Sequence, residues 1–564
     1  MCRQRFAKFK IRLRIGGNTG MLRYSTELMG TPNELFYWVP GEMVVVIRLH
    51  RRPAPDTQDL LIEQIRGQLN SLLARYSMVL EPYGTYGRWS DMPTMPPVLR
   101  RSFIFGLHRQ QPLIAIFFHV RHIGTFNTDP MPLVLSYLQV HLEEMAQTGL
   151  NVVSAMPNWL VTAAPQYHSD GGPAIPPHPS PQLDLAAADS LPLGWHISFV
   201  DGGLPFDPND AEDVLIAVLD TAQHPDRLLS AAMRPEFKRN RLLQRLAVDL
   251  RNETGSLEIE YDRYPIISDV STGHDLYSQP AYYKMADHGI FVTGLIRDVA
   301  PGAHIRLIRI LNDYGGGDLY NIFAALTDLE LELVSGAIRH LVINLSLNIM
   351  PDIRRLPYVW FDQRQWPSTQ LAGAVRVLTH IEEGLRLLFE SLYAHDVLIV
   401  AAAGNDSFLV NKQGQRPRPP RIPARYETTL SVASVNSHYV PSTFANAACT
   451  PPLNAGVATF GGDNDVILDT NGLPDAVRGV YIAPTFPGGA QNVTGWADWS
   501  GSSFATAIIS GLGAHLIAQG WPLADAIARI AAGKVRRTEK LFGSGPDVPD
   551  LIANVIRVQQ RFGI

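Results

Sequence analysis

Cysteine is almost missing from this chain: Cys2 and Cys449 are its two thiols in 564 residues. One pair cannot make a disulfide framework, and neither thiol stands at a metal-ligand spacing. Long apolar runs are missing too, since no stretch approaches the ~18 consecutive apolar residues of a membrane span. The first residues, MCRQRFAKFKIRLRIGGNTG, are basic but lack the apolar core of a secretory signal. A cytoplasmic protein that engages no membrane is the resulting expectation. Charge of one sign is not in excess: 48 Lys and Arg face 53 Asp and Glu, net −5, which gives no electrostatic case for nucleic acid. Internal repeats are absent. What remains is 46% apolar and 18% charged residues, the composition of a globular protein with a sizeable core, at a length that predicts two or three domains.

The composition changes sharply at Gln166 to Leu193, where YHSDGGPAIPPHPSPQ is rich in Pro, Gly, Ser and His. That reads as a linker, and the expected division is an N-terminal domain at 1–165, a linker at 166–205 and a larger domain at 206–564. Before the linker, Met43 to Leu49, Met78 to Tyr83, Arg101 to Leu107, Leu113 to Val120 and Asn151 to Thr162 read as extended. Asp59 to Ala74 and Pro132 to Thr148 carry apolar residues at helical spacing. If the Met78 and Arg101 runs count as one strand, the order is β-α-β-β-α-β, a small ferredoxin-like sandwich. Met1 to Pro40 has no clear place in it. After the linker, VLIAVLD (Val214 to Asp220), IRLIRIL (Ile305 to Leu311), HLVINLSL (His340 to Leu347) and DVLIVAAAG (Asp396 to Gly404) are nearly continuous apolar runs. Strands buried on both faces of a parallel sheet look like this. Helical stretches around Asn321 to Arg339 and Gly373 to Tyr393 lie between some of them, which is an α/β pattern.

Polar residues of chemical interest collect at the ends of these runs, where open α/β sheets place their ligands. Asp220 closes an apolar strand, a costly place for a carboxylate without a partner. His288 precedes a short apolar helix rich in small residues. Asn405 follows VAAAG at a strand end, where its amide can donate to a developing oxyanion. Ser503 lies in GSSFATA at the start of a helix lined with Ala and Gly, and a helix N-terminus supplies free N–H groups and a positive dipole end. Taken singly, each is as well explained by a turn, a cap or packing. Together they supply a nucleophile, a base, an orienter for the base and an oxyanion donor, in the chain order Asp, His, Ser.

With those motifs the sequence resembles the subtilisin-like serine proteases, the subtilase or peptidase S8 family, over roughly Asp210 to Ala531. LDTA stands where the family has D-[ST]-G. HGIFVTG followed by VAPGAHIRLIRIL stands for H-G-T-H-V-A-G and A-P-x-A, AAGND for A-A-G-N, and GSSFATA for G-T-S-x-A-T-P. VINLSLN resembles the substrate strand N-x-S-L-G, and IPARYETTLSVASV the stretch after the oxyanion loop. The resemblance implies a mostly parallel sheet flanked by helices and a serine endopeptidase acting on proteins or peptides. Ser503 would be the nucleophile, His288 the general base, Asp220 its orienter, and Asn405 with the N–H of Ser503 the oxyanion hole. Ser346, Leu347 and Asn348 would run beside the substrate backbone, and Ala402, Ala403 and Gly404 would wall a specificity pocket. The departures are Ala222, Ile290, Phe291, Ser502, Ala507 and Asn348. None removes a catalytic group, though Asn348 adds a side chain where the family keeps bare backbone. The long insertion between Asp220 and His288, with RPEFKRNRLLQR and EIEYDRY, has no assigned place beyond the surface.

The N-terminal sandwich resembles subtilase propeptides, and VVSAMPNWLVTAAPQ resembles their last strand. This implies an intramolecular inhibitor released by cleavage between Gln166 and Leu193; the competing reading is a separate binding domain. No cofactor is required. FGGDNDVILDTNG gathers Asp463, Asp465 and Asp469, oxygen donors of the type calcium takes, but not at EF-hand spacing, so an exposed turn is the leading expectation. Specificity cues conflict: Asp406 favours a basic substrate residue, while Arg416, Arg418 and Arg421 favour an acidic one. Two other enzyme readings fail on the motifs. An α/β-hydrolase esterase needs G-x-S-x-G with the His last, and the sedolisin branch has Glu and Asp where this chain has DHG. A catalytically silent scaffold of the same fold stays open.

Overall fold

The computed structural model describes residues 38–83, 100–122, 131–163, 211–251, 255–261, 284–313, 315–349, 382–407, 417–436, 440–448, 456–468 and 474–531, with short pieces at 8–12, 23–27, 177–179, 195–196 and 556–557. The N-terminal half runs β1 (Trp38–Arg48), α1 (Gln58–Leu73), β2 (Met78–Pro82), β3 (Ser102–Phe105), β4 (Leu113–His122), α2 (Met131–Val140), α3 (Leu142–Gln147) and β5 (Val152–Thr162). These strands pair antiparallel in the order β5-β1-β4-β2, with α1 seated by buried Ile62, Ile65, Leu69 and Leu73. The Met78 and Arg101 runs are two strands lying end to end on one edge of β4: Met78 to Pro82 pair with His122 to Phe118, and Ser102 to Phe105 with Ile116 to Leu113. They act as one interrupted edge strand. The helix expected over Pro132 to Thr148 is two helices that meet at His141.

The second half runs β6 (Val214–Thr221), α4 (Pro225–Ala232), α5 (Arg241–Arg251), β7 (Leu257–Glu260), α6 (His288–Val299), β8 (His304–Leu311), β9 (Gly316–Asp318), α7 (Leu319–Ser335), β10 (His340–Leu345) and β11 (Asn348–Ile349). A helix over 382–393 follows, then β12 (Leu398–Ala402), β13 (Leu430–Val435), β14 (Val457–Phe460), the pair β15 (Val477–Val480) and β16 (Trp496–Trp499), and α8 (Ser502–Ala518). The parallel core has the order β7-β8-β6-β10-β12-β13-β14. Chain order reverses direction at β6, and such a switch point opens a crevice beyond the carboxyl ends of the strands. Asp220 lies at that end of β6. Helix α8 is buried along nearly its whole length, as expected of a helix apolar all round. Its small residues permit this: a Cβ on Gly513 would stand 2.2 Å from Leu398 Cδ2 of β12.

The described parts of the insertion have a place, while 252–254 and 262–283, with the DRY of EIEYDRY, lie outside the described residues. RPEFKRNRLLQR forms a short turn and the start of amphipathic α5, and EIE belongs to the edge strand β7, parallel to β8. Arg297 of α6 reaches under this layer. It donates to the carbonyls of Pro301, Ala303 and Ser256 and lies 3.0 Å from Asp249 of α5. Burial pushes its guanidinium down to about 10, against the pull of Asp249.

Both halves share one sheet, and β5 joins them. It pairs with β1 along Val152 to Trp159. Beyond that, Leu160, Val161 and Thr162 pair antiparallel with Asp318, Gly317 and Gly316 of β9, while Val161 and Thr162 also pair with Ile349 and Asn348 of β11. Next to this seam Phe103, Phe105 and Phe117 pack edge-on against Tyr320 and Phe323 of α7 at centroid distances of 5.3 to 5.9 Å. Each such buried ring contributes roughly 1.5–3 kcal/mol. The boundaries expected at 165/166 and 205/206, and nearly all of the linker, lie outside the described residues. Among the described residues, no helix is long and apolar enough to cross a membrane.

Candidate active site

Asp220, His288, Asn405 and Ser503 come from four separate elements and are all buried. The His288 Nδ1 lies 2.8 and 3.0 Å from the two carboxylate oxygens of Asp220. A carboxylate oxygen accepts, so in the neutral imidazole the proton belongs on this ring nitrogen and the lone pair on Nε2. No hydrogen-bond partner meets Nε2. The loop leading into α6 is pinned by Thr221: its hydroxyl lies 3.1 and 3.2 Å from the carbonyls of Met285 and Ala286 and accepts from the N–H of Gly289 at 3.0 Å. The Thr221 N–H itself donates to Asp220 Oδ1 at 2.6 Å. Gly289 has to be bare, because a Cβ there would stand 2.0 Å from the Thr221 carbonyl oxygen. The Asp-Thr and His-Gly pairs are therefore one interlocked unit.

Ser503 sits in the first turn of α8, where backbone N–H groups lack helical acceptors. Its hydroxyl donates to the Ser346 carbonyl at 3.4 Å, and Ser346 Oγ lies 3.1 Å from the Ser503 carbonyl. Asn405 Oδ1 accepts from the N–H of Ser502 at 3.0 Å, which turns its Nδ2 the other way; that NH₂ is buried with no partner. An unsatisfied buried donor costs about 1–3 kcal/mol and marks a position built for an acceptor that arrives from outside. A base with a free lone pair and a donor without an acceptor, beside a hydroxyl at a helix N-terminus, can together activate that hydroxyl and stabilise an oxyanion.

The other residues singled out from sequence divide. Asn348 lies in β11 against Thr162, and its Oδ1 has no partner. Leu347 and Ser346 are buried beside it. Ala402 ends β12 and Ala403 and Gly404 follow it, with two carbonyls taken: Asn446 donates its Nδ2 to that of Ala403 and its N–H to that of Gly404. The conflict between Asp406 and the arginines dissolves into an ion pair. Arg421 binds Asp406, Arg418 lies 3.9 Å away, and Asp406 is buried. Among these residues the Asp406 cue and the Arg418 and Arg421 cues are taken up with each other, while Arg416 lies outside the described residues. Asp463 is buried rather than on the exposed turn expected, and it accepts from the Thr443 N–H and hydroxyl at 2.6 and 2.7 Å and from Asn436. The side chain of Asp465 and all of Asp469 lie outside the described residues.

Three features escaped the sequence reading. Strand β9, the second rail beside β5, has the sequence GGD and carries no strand signal. Asp287 is buried, with Oδ2 accepting from the N–H groups of Ile482 and Ala483 and Oδ1 from Gln223. Burial raises its pKa against these hydrogen bonds, and the DHG triplet was its only trace. Phe291, one of the departures, packs with Trp499 and Phe504 behind the imidazole of His288, which meets Trp499 edge-on at 5.3 Å. That apolar wall keeps water from the ring.

The subtilase family model matches residues 211–530, more than half of the chain. The chain belongs to the subtilase family. This membership carries with it the mixed α/β architecture described above and supports a serine peptidase function with protein or peptide substrates. Among solved structures, this subtilase is similar to a lanthipeptide protease, with 16% identity, 62% of this chain and 87% of that chain covered, and a TM-score of 0.36. No curated protein matches it at a significant level.

Proposed function

We propose that this subtilase is a serine endopeptidase that cleaves through an acyl-enzyme and is held inactive by its own N-terminal domain. The observation that carries the catalytic reading is the imidazole of His288, fixed by Asp220 at 2.8 Å with an unpartnered Nε2. In the reaction, Ser503 Oγ leaves its contact with Ser346 and gives its proton to His288 Nε2 as it attacks the substrate carbonyl. Asp220 stabilises the imidazolium that forms. The developing oxyanion takes the free Asn405 Nδ2–H and the N–H of Ser503. His288 then protonates the leaving amine, and water repeats the sequence to release the acid.

The inhibitory reading rests on the end of β5. Its residues 160–162 lie between β9 and β11 as an antiparallel strand, the way a substrate backbone adds to sheet edges. Asn158, the Asn of the P-N motif, locks this strand down. Its Oδ1 accepts from the first N–H of α7, that of Leu319, at 3.0 Å, and its Nδ2 donates to Glu42 at 2.9 Å and Asp318 at 3.3 Å. A chain end so held excludes substrate from the same rails.

The test is to purify the wild type and Ser503→Ala, with and without a trace of an unrelated protease, and read both by intact mass and an active-site serine probe. Cleavage of the wild type between Gln166 and Leu193 with labelling at Ser503, and neither event in the variant, is the expected result. Labelling that appears only after the added protease cuts the linker identifies a zymogen opened by another enzyme. A protein that never labels is the silent scaffold, and the proposal is wrong.

A further inference from the structure

Away from the candidate active site, His108, Glu330 and His395 meet where the N-terminal domain touches the rest of the molecule. One ligand atom of each lies within 4.8 Å of the other two, and among the described residues no other such group of His, Cys, Asp and Glu occurs. His108 lies in the turn between β3 and β4, Glu330 on α7, and His395 just after the helix over 382–393. We propose that these three side chains bind one borderline divalent transition metal of the zinc class, which bridges the N-terminal domain to the catalytic domain.

The buried carboxylate of Glu330 is held from behind. Its Oε1 accepts from the N–H of Leu107 at 2.9 Å and from the Ser391 hydroxyl, and its Oε2 from the N–H of Gly106 at 3.2 Å. Outer hydrogen bonds of this kind orient the ligands of metal sites. His395 Nε2 is buried, makes no hydrogen bond, and stands 3.4 Å from Glu330 Oε1. That separation is close to the edge of a tetrahedron whose arms are about 2.0–2.1 Å, the usual Zn–N and Zn–O lengths. The rings of His108 and His395 stand at 88° with centroids 5.4 Å apart, splayed like two imidazoles around a shared centre. His108 is exposed, which leaves an entry path and room for water as a fourth ligand. Two imidazoles and one carboxylate select zinc-like ions over calcium or magnesium, which prefer shells built from oxygen alone.

Because one ligand comes from the N-terminal domain and two from its partner, bound metal stabilises the docked state alone and slows its opening. This consequence rests on the inhibitory reading above; the metal site itself does not.

The test uses the full-length wild type stripped with a chelator, together with His108→Ala and His395→Ala. His108 is exposed on a turn, so its removal leaves the fold intact. Zinc alone is titrated by calorimetry, and cobalt alone is followed by its visible absorption. One ion per chain, a four-coordinate cobalt spectrum and affinity at least tenfold weaker in both variants are expected. Zinc that binds equally well to the variants is adventitious and overturns the site. In a second arm the linker is cut and departure of the N-terminal domain is timed. It slows at least tenfold with zinc in the wild type and is unchanged by zinc in His108→Ala. Binding that the variants lose, with no effect of zinc on departure, overturns the bridging role while leaving the inhibitory reading intact. Departure that fails to release activity in any form counts against the inhibitory reading instead.

Discussion

Alanine at Gly289 tests the interlocked Asp-Thr and His-Gly unit most directly. The new Cβ would stand 2.0 Å from the Thr221 carbonyl oxygen and 3.1 Å from Asp220 Cβ. Restoring ordinary contact requires the start of α6 to withdraw from β6 by on the order of 1.4 Å. His288 is the residue before Gly289, so its bonds of 2.8 and 3.0 Å to Asp220 do not survive that shift. A displacement of this size costs about 10²-fold in rate, and overpacking costs about 1–3 kcal/mol in stability. Gly294→Ala in the same helix is the control, since its Cβ would meet nothing nearer than Val480 Cγ2 at 3.4 Å. The assay is kcat on a chromogenic peptide with linker-cut enzyme, its active sites counted by the serine probe, beside a thermal melt. Expected are a fall of roughly 10² in kcat for Gly289→Ala and little change for Gly294→Ala. A folded Gly289→Ala enzyme that keeps more than about a third of wild-type kcat would refute the reasoning.

Three further outcomes are expected. Asn405→Ala lowers kcat by about 10²–10³ with KM nearly unchanged, because the lost donor acts on the transition state; a change confined to KM would contradict an oxyanion role. Asp287→Asn alters the pH dependence of stability. The folded pKa of Asp287 is raised, so its contribution is full below the unfolded value of about 4 and is lost as pH rises through the folded value. The melting temperature of Asp287→Asn minus that of the wild type therefore climbs with pH across that window and then levels off, and a flat difference would refute the assignment. Phe103→Ala removes a ring that packs on Tyr320 and Phe323 and costs about 3–5 kcal/mol. Serine-probe labelling of the uncut chain should then appear earlier than in the wild type, and unchanged labelling would mean that this seam does not restrain the N-terminal domain.

Residue order alone determined a good deal. Runs such as VLIAVLD and DVLIVAAAG suit strands covered on both faces, and the motifs at their ends named Asp220, His288, Asn405 and Ser503. Local pattern suffices there because apolar continuity and hydroxyl-rich helix starts are written in neighbouring residues. Tertiary structure decided the rest. It cancelled Asp406 against Arg421, fifteen residues on, and it put Phe291 beside Trp499 and Phe504, which stand more than 200 residues away. It made a strand of Gly316–Asp318, which has no strand propensity, because β5 and β8 supply its hydrogen bonds from either side. It also brought His108 to Glu330 and His395 across more than 220 residues. None of these pairings leaves a periodic trace, since each depends on which surfaces meet after the sheet has closed.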